Sequence, residues 1–120
     1  MRTKGQERLR NQRPAGVLRI LRGNAKRRGL SVEITAQDFK QWYDQEHICF
    51  YCGQILVQGN PRKTNSLTIE RLNNDKGYTI DNIALACHQC NRIRSDFFTV
   101  EEMLGIAEKY IKPKRKANGI

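Results

Sequence analysis

The sequence predicts a small α+β fold: a β-hairpin and the helix after it, stapled by a metal ion and flanked by helices and basic ends. Three observations carry this. Two C-x-x-C pairs, Cys49-Phe-Tyr-Cys52 and Cys87-His-Gln-Cys90, have 34 residues between them. Inside that interval two short apolar, β-branched stretches are separated by a polar, glycine-containing loop. On either side, apolar residues recur at helical spacing.

At 120 residues and 13.9 kDa the chain has the length of one domain, too short for a large core, so a staple is expected. The opening MRTKGQERLRNQRP is basic and lacks the apolar run of a secretory leader. No stretch reaches membrane-spanning length either. A cytoplasmic location is expected, where cysteines are seldom disulfides. The net charge of +10 is uneven: +9 over residues 1–30, −3 over 31–111 and +4 over 112–120. Basic ends around a mildly acidic middle point to a polyanion, most simply nucleic acid. The expected organisation is a mobile basic arm at 1–13, a domain at 14–111 and a basic tail at 112–120.

From Pro14, the residues Val17, Leu18, Leu21 and Ala25 predict a helix that Gly29 stops. Arg19, Arg22 and Lys26 form a basic stripe along it, continued by Arg27 and Arg28, and are expected to meet phosphates. A second helix should start at the cap Thr35 and run to about Glu46, with Phe39 and Trp42 inward. A knuckle at Cys49–Cys52 and a polar loop, Gly59–Asn65, come next. Strands at 66–72 and 82–86 enclose loop 73–79, and a helix opens near Cys90. A last helix, with the box Thr99/Glu102, should end before Pro113.

A two-residue spacer lets both thiolates of a pair reach one ion at about 2.3 Å, and two pairs complete a tetrahedron. The expected centre is a structural zinc on Cys49, Cys52, Cys87 and Cys90. It leaves no open position for substrate. His47 and His88 lie beside ligands but are not needed as such.

Strand, loop, strand and helix, bracketed by C-x-x-C pairs and ending CxxCN, resemble the HNH (ββα-metal) nucleases. The resemblance spans about residues 20–110 and rests on Asn24-Ala25, Gly29, Trp42-Tyr43, CFYCG, IER, KGYT, DN, LAC and CNRIRS. It implies that Glu70 and Asn91 bind one Mg²⁺ or Mn²⁺, that Asn82 pins the loop, and that Arg94 is the basic residue three positions after the last ligand. Arg71 stands where the family has its histidine base, and Glu70 where an aspartate is usual. A subgroup of small restriction and phage-type members shares that arginine. By this resemblance Tyr43 takes the base or nucleophile role, and Arg71 clamps the scissile phosphate.

The function expected is a divalent-metal-dependent endonuclease acting on double-stranded DNA, held by Arg19, Arg22, Lys26, Arg27, Arg28, Arg92 and Arg94. Two sites, hence a homodimer, would be needed for a double-strand break. Any sharp specificity is expected from the Gly59–Asn65 loop or the arm. The alternative is a zinc-stapled DNA-binding module without catalysis, and a smaller alternative is an RNA partner.

Overall fold

The structure, a computed structural model, describes residues 3–59 and 63–117. Residues 60–62 of the expected specificity loop and 118–120 of the expected tail lie outside the described residues. The chain divides into two compact units. One comprises residues up to Glu46 with Asp75–Asn82; the other comprises His47–Asn74 and everything from Ile83 on.

In the first unit the segment expected as a mobile arm is instead a helix, α1 (Lys4–Gln12). Thr3 and Gln6 form a reciprocal capping box there, so local polar chemistry starts the helix without an apolar stripe. Arg13 closes α1 and opens α2 (Pro14–Arg27), whose first residue is a proline with no N–H to satisfy. Leu18 and Ala25 are the buried side of α2. Gly29, at φ 70°, takes the left-handed turn that ends it. Thr35 Oγ1 accepts from the Asp38 N–H and starts α3 (Ala36–Tyr43). Helix α3 stops at Tyr43, short of the expected Glu46, because Asp44 leaves helical geometry. Tyr43 rather than Trp42 joins Phe39 inside; their rings stack at 5.5 Å. Tyr78 is buried in the same unit and exchanges backbone hydrogen bonds with Ser31 and Glu33.

The second unit holds the hairpin. Strands β1 (Leu67–Arg71) and β2 (Ile83–Cys87) pair antiparallel, Leu67 against Cys87 and Arg71 against Ile83. Every residue of β2 is buried, whereas Glu70 is the one buried position of β1. Helix α4 (His88–Arg94) starts directly after β2, capped by the Cys87 sulfur, which accepts from the Cys90 N–H. Helix α5 (Val100–Ile106) carries the Thr99/Glu102 box. The chain does not stop before Pro113. It passes through a π-helical turn, Ala107–Ile111, into α6 (Lys112–Ala117). The wider turn bonds the Lys112 N–H to the Ala107 carbonyl. That register lets the helix accept a proline that would otherwise break it.

Two glycine substitutions separate steric need from helix propensity. A Cβ on Gly77 would sit 2.8 Å from the Ser31 carbonyl oxygen, so Gly77→Ala should destabilise by about 1–3 kcal/mol. Gly105 in α5 has open space around it, so Gly105→Ala should stabilise by about 0.5–1 kcal/mol. Urea midpoints of the two variants should shift in opposite directions.

Candidate functional site

The four cysteine sulfurs lie within 4.8 Å of one another, all buried and none in a disulfide. Cys52 Sγ and Cys87 Sγ are 3.8 Å apart. A tetrahedral zinc with bonds of about 2.3 Å spaces its sulfurs by about 3.8 Å, so the set fits such an ion. The Gly53 N–H bonds back to the Cys49 carbonyl and folds the knuckle; the Phe50 N–H bonds the Leu85 carbonyl and ties it to β2. The sulfurs perturb one another strongly. Hydrogen bonding with Cys49 pushes the Cys52 thiol far down, and with the same neighbour the Cys90 thiol goes up. Four sulfurs this close do not all ionise together unless a cation sits among them. Neither His47 nor His88 belongs to the cluster.

Strand β1 presents Thr68 and Glu70 on one face and Ile69 and Arg71 on the other, as strand alternation requires. Helix α4 crosses the first face. Asn91 Nδ2 donates to Thr68 Oγ1 at 3.1 Å, and one turn later Arg94 Nη1 stands 3.3 Å from Glu70 Oε2. The helix thus brings Asn91, Arg94 and Glu70 onto one surface of the hairpin.

Arg94 is not available to DNA, contrary to the expectation from sequence. It is 2% exposed and fully committed inside the protein. Its guanidinium also donates to the carbonyls of Phe98 at 3.0 Å, Arg71 at 2.7 Å and Leu72 at 2.5 Å. It therefore closes the carbonyls that β1 leaves behind as it exits the hairpin. Glu70 is 6% exposed, and burial raises its pKa above the ordinary carboxylate range, opposed by the Tyr51 hydroxyl and Arg94. The buried Tyr51 hydroxyl faces this carboxylate beside Arg94. Burial, then the Glu70 carboxylate, pushes the Tyr51 phenol up. Tyr51 was missed from sequence; its only signal is its place inside the first cysteine pair, next to a ligand.

Arg71 does not share the Glu70 face. Its Nη1 donates to the Asn74 carbonyl at 2.8 Å, which folds the side chain back on its own loop. Asn82 belongs to the first unit, where its Nδ2 donates to the Gly77 carbonyl at 2.9 Å. Tyr43 also belongs to the first unit, and burial pushes its pKa up to about 12. Arg19, Arg22, Lys26, Arg27, Arg28 and Arg92 all have exposed side chains. Four of them are partly engaged: Arg19 with Asn11, Arg22 with the Ile34 carbonyl, Arg27 with Asn24 and Arg28 with the Tyr78 hydroxyl.

The hairpin, the crossing helix and the cysteine centre define the class: an α+β fold of the HNH endonuclease type with four cysteines arranged for metal binding. In particular, the chain is similar to the rare-cutting HNH restriction endonuclease PacI. Their TM-score is 0.75 and their sequence identity 28%, over 89% of this chain and 82% of that one. A curated relative, the uncharacterized protein R423 of Acanthamoeba polyphaga mimivirus, is 31% identical over 69 residues. Those residues are 57% of this chain, which spans only 11% of that relative. No family model matches the chain. No described helix is long and apolar enough to cross a membrane.

Removing the Arg94 charge should strand Glu70, and Arg94→Met should destabilise by about 3–5 kcal/mol. Because burial raises the Glu70 pKa in the folded state, its contribution is fully present below about pH 4.5 and is lost as pH rises through the folded value. Glu70→Gln should lack that component. Urea unfolding of both proteins at matched zinc should show wild type losing stability relative to Glu70→Gln as pH rises from the acid side.

Proposed function

We propose that the chain is a divalent-metal-dependent HNH endonuclease that hydrolyses phosphodiester bonds in double-stranded DNA. The observation that carries the reading is the placement of Glu70 and Asn91 on one face of a cysteine-stapled hairpin and helix, in a chain structurally similar to PacI. The four cysteines would hold a structural Zn²⁺.

The oxygen donors suit a hard cation. Glu70 offers a buried carboxylate whose Oε2 is held by Arg94 and which the Tyr51 hydroxyl faces. Asn91 spends its amide nitrogen on Thr68, so its amide oxygen is the atom it would offer. A protein site of one carboxylate and one amide is what Mg²⁺ or Mn²⁺ needs when water and phosphate supply the rest. When bound, the cation supplies charge neutralisation on the phosphate and stabilises the leaving oxygen. Arg94 holds the Glu70 carboxylate in place. Arg71 is assigned to a phosphate oxygen, which requires its fork to leave the Asn74 carbonyl. The exposed Arg19, Arg22, Lys26, Arg27, Arg28 and Arg92 track the DNA backbone, and a homodimer supplies two sites for a double-strand break. The setting proposed is the cytoplasm of a bacterial or phage-infected cell.

Tyr43 is assigned as general base, and its burial sets a condition. A phenol held near pKa 12 is protonated at neutral pH, so a rate that depends on its phenolate should climb tenfold per pH unit to beyond pH 9. The second reading, a DNA-binding module without catalysis, is favoured by that same protonated phenol and by the ion pair that already occupies Glu70.

The test is supercoiled plasmid incubated with zinc-loaded protein, with and without Mg²⁺ or Mn²⁺. Metal-dependent cleavage is expected, reduced at least about a hundredfold in Glu70→Ala and Asn91→Ala while a gel shift persists. The gel shift should weaken steeply with salt, as phosphate contacts do. Full activity in Tyr43→Phe would remove Tyr43 as the base. A salt-sensitive gel shift with no cleavage under any metal would establish the binding module instead.

A further inference from the structure

Arg115 lies in the segment the sequence marks only as a basic tail, yet it reaches the cysteine centre. Its Nη2 is 2.6 Å from Gln89 Oε1 and 3.9 Å from Cys87 Sγ. Gln89 is itself inside the second cysteine pair, and its backbone N–H is fixed to the Thr64 carbonyl at 3.3 Å. Arg115 Nε is buried with no acceptor among the described residues. Leaving a guanidinium nitrogen in that state is unfavourable unless an anion nearby offsets it. Four thiolates around a dication carry a net charge of about −2 in a buried place, which is such an anion.

The helix is phased to deliver this side chain. Met103, Ala107 and Ile111 are buried at four-residue steps, and Arg115 is the next step. In a regular α-helix four residues turn by roughly 400°, so each step drifts by about 40° and the third would leave the face. The π-helical turn at Ala107–Ile111 takes up more residues per turn and cancels part of that drift. Such turns are concentrated at functional positions.

We propose that Arg115 is a supporting cation of the four-cysteine centre, anchored by Gln89, donating to the Cys87 sulfur and slowing release of the metal. The inference rests on the reading that the cysteines hold a tetrahedral dication. Donation to a ligand sulfur, and a positive charge beside the anionic centre, hold that ligand in place, so exchange of the metal becomes slower. Loss of such support around a metal centre typically changes metal affinity tenfold to a hundredfold, roughly.

The experiment uses the full chain loaded with zinc and follows metal transfer to a competing chelator at fixed pH. Arg115→Met, which keeps an apolar stem and removes the charge, should release zinc about ten- to a hundredfold faster. Arg115→Lys should recover part of the difference, and Gln89→Leu should give a smaller rise. Melting temperatures in saturating zinc should stay within a few degrees, roughly, of wild type. With cobalt in place of zinc, the sulfur-to-metal absorption band should move to longer wavelength in Arg115→Met. Unchanged release and an unchanged band would overturn the proposal. If Arg115→Met does not fold, Arg115→Lys and Gln89→Leu decide by the same two readouts. Uptake of no dication by wild type would overturn the metal reading itself, and stoichiometry reads that separately.

Discussion

Four buried sulfurs gathered within 4.8 Å repel one another as thiolates, and a dication held among them would turn that repulsion into a constraint on the fold. Such an ion would fix the knuckle at Cys49–Cys52, the end of β2 and the first turn of α4 to a single point. The 34 residues between Cys52 and Cys87 are then a closed loop whose entropy no longer opposes pairing of β1 with β2. With Cys87 and Cys90 anchored, the direction of α4 follows. Asn91 and Arg94, one and four residues beyond the last ligand, are laid across the face of β1 that carries Thr68 and Glu70. Metal binding in such a domain is folding free energy, and the placement of Asn91, Arg94 and Glu70 would depend on it.

Burying Glu70 against Arg94 is a poor route to stability, because desolvating two charges offsets most of their attraction. An apolar pair of the same volume would serve the core as well or better. What the ion pair adds is a buried carboxylate with one oxygen held by Arg94. Tyr51 lies against the same carboxylate and is buried by the fold that the cysteines impose. This local conflict within an otherwise consistent unit is the pattern expected where chemistry, rather than packing, dictates residue choice. Glu70 and Arg71, side by side in sequence, also take opposite tasks. Strand alternation sends the acid to the helix and the arginine to its own loop.

Much of the fold was legible because its signals are local. The C-x-x-C pairs, the Thr35 cap, the Thr99/Glu102 box and the stop at Gly29 each act over a few residues, and each is where the sequence places it. The misreadings have tertiary or subtle local causes. Helix α1 rests on a Thr3/Gln6 capping box in a segment without apolar periodicity, so hydrophobic patterning alone reads it as an arm. Pro113 is tolerated because the chain widens into a π turn, which has no sequence signature of its own. Arg94 looks like a DNA contact on any helix map; only the carbonyls of Arg71, Leu72 and Phe98 around it reveal an internal role. The burial that sets the Tyr43 pKa is likewise invisible to spacing.

Backbone hydrogen exchange on the zinc-loaded and zinc-stripped full chain would test most directly that the cysteine centre organises the hairpin and α4. The account predicts strong protection of the β2 amides, Ile83–Cys87, with zinc and its loss when the metal is removed, restored by one equivalent of zinc. Protection of those amides that persisted unchanged without metal would contradict it. The hairpin would then be holding itself together, and the cysteines would be passengers.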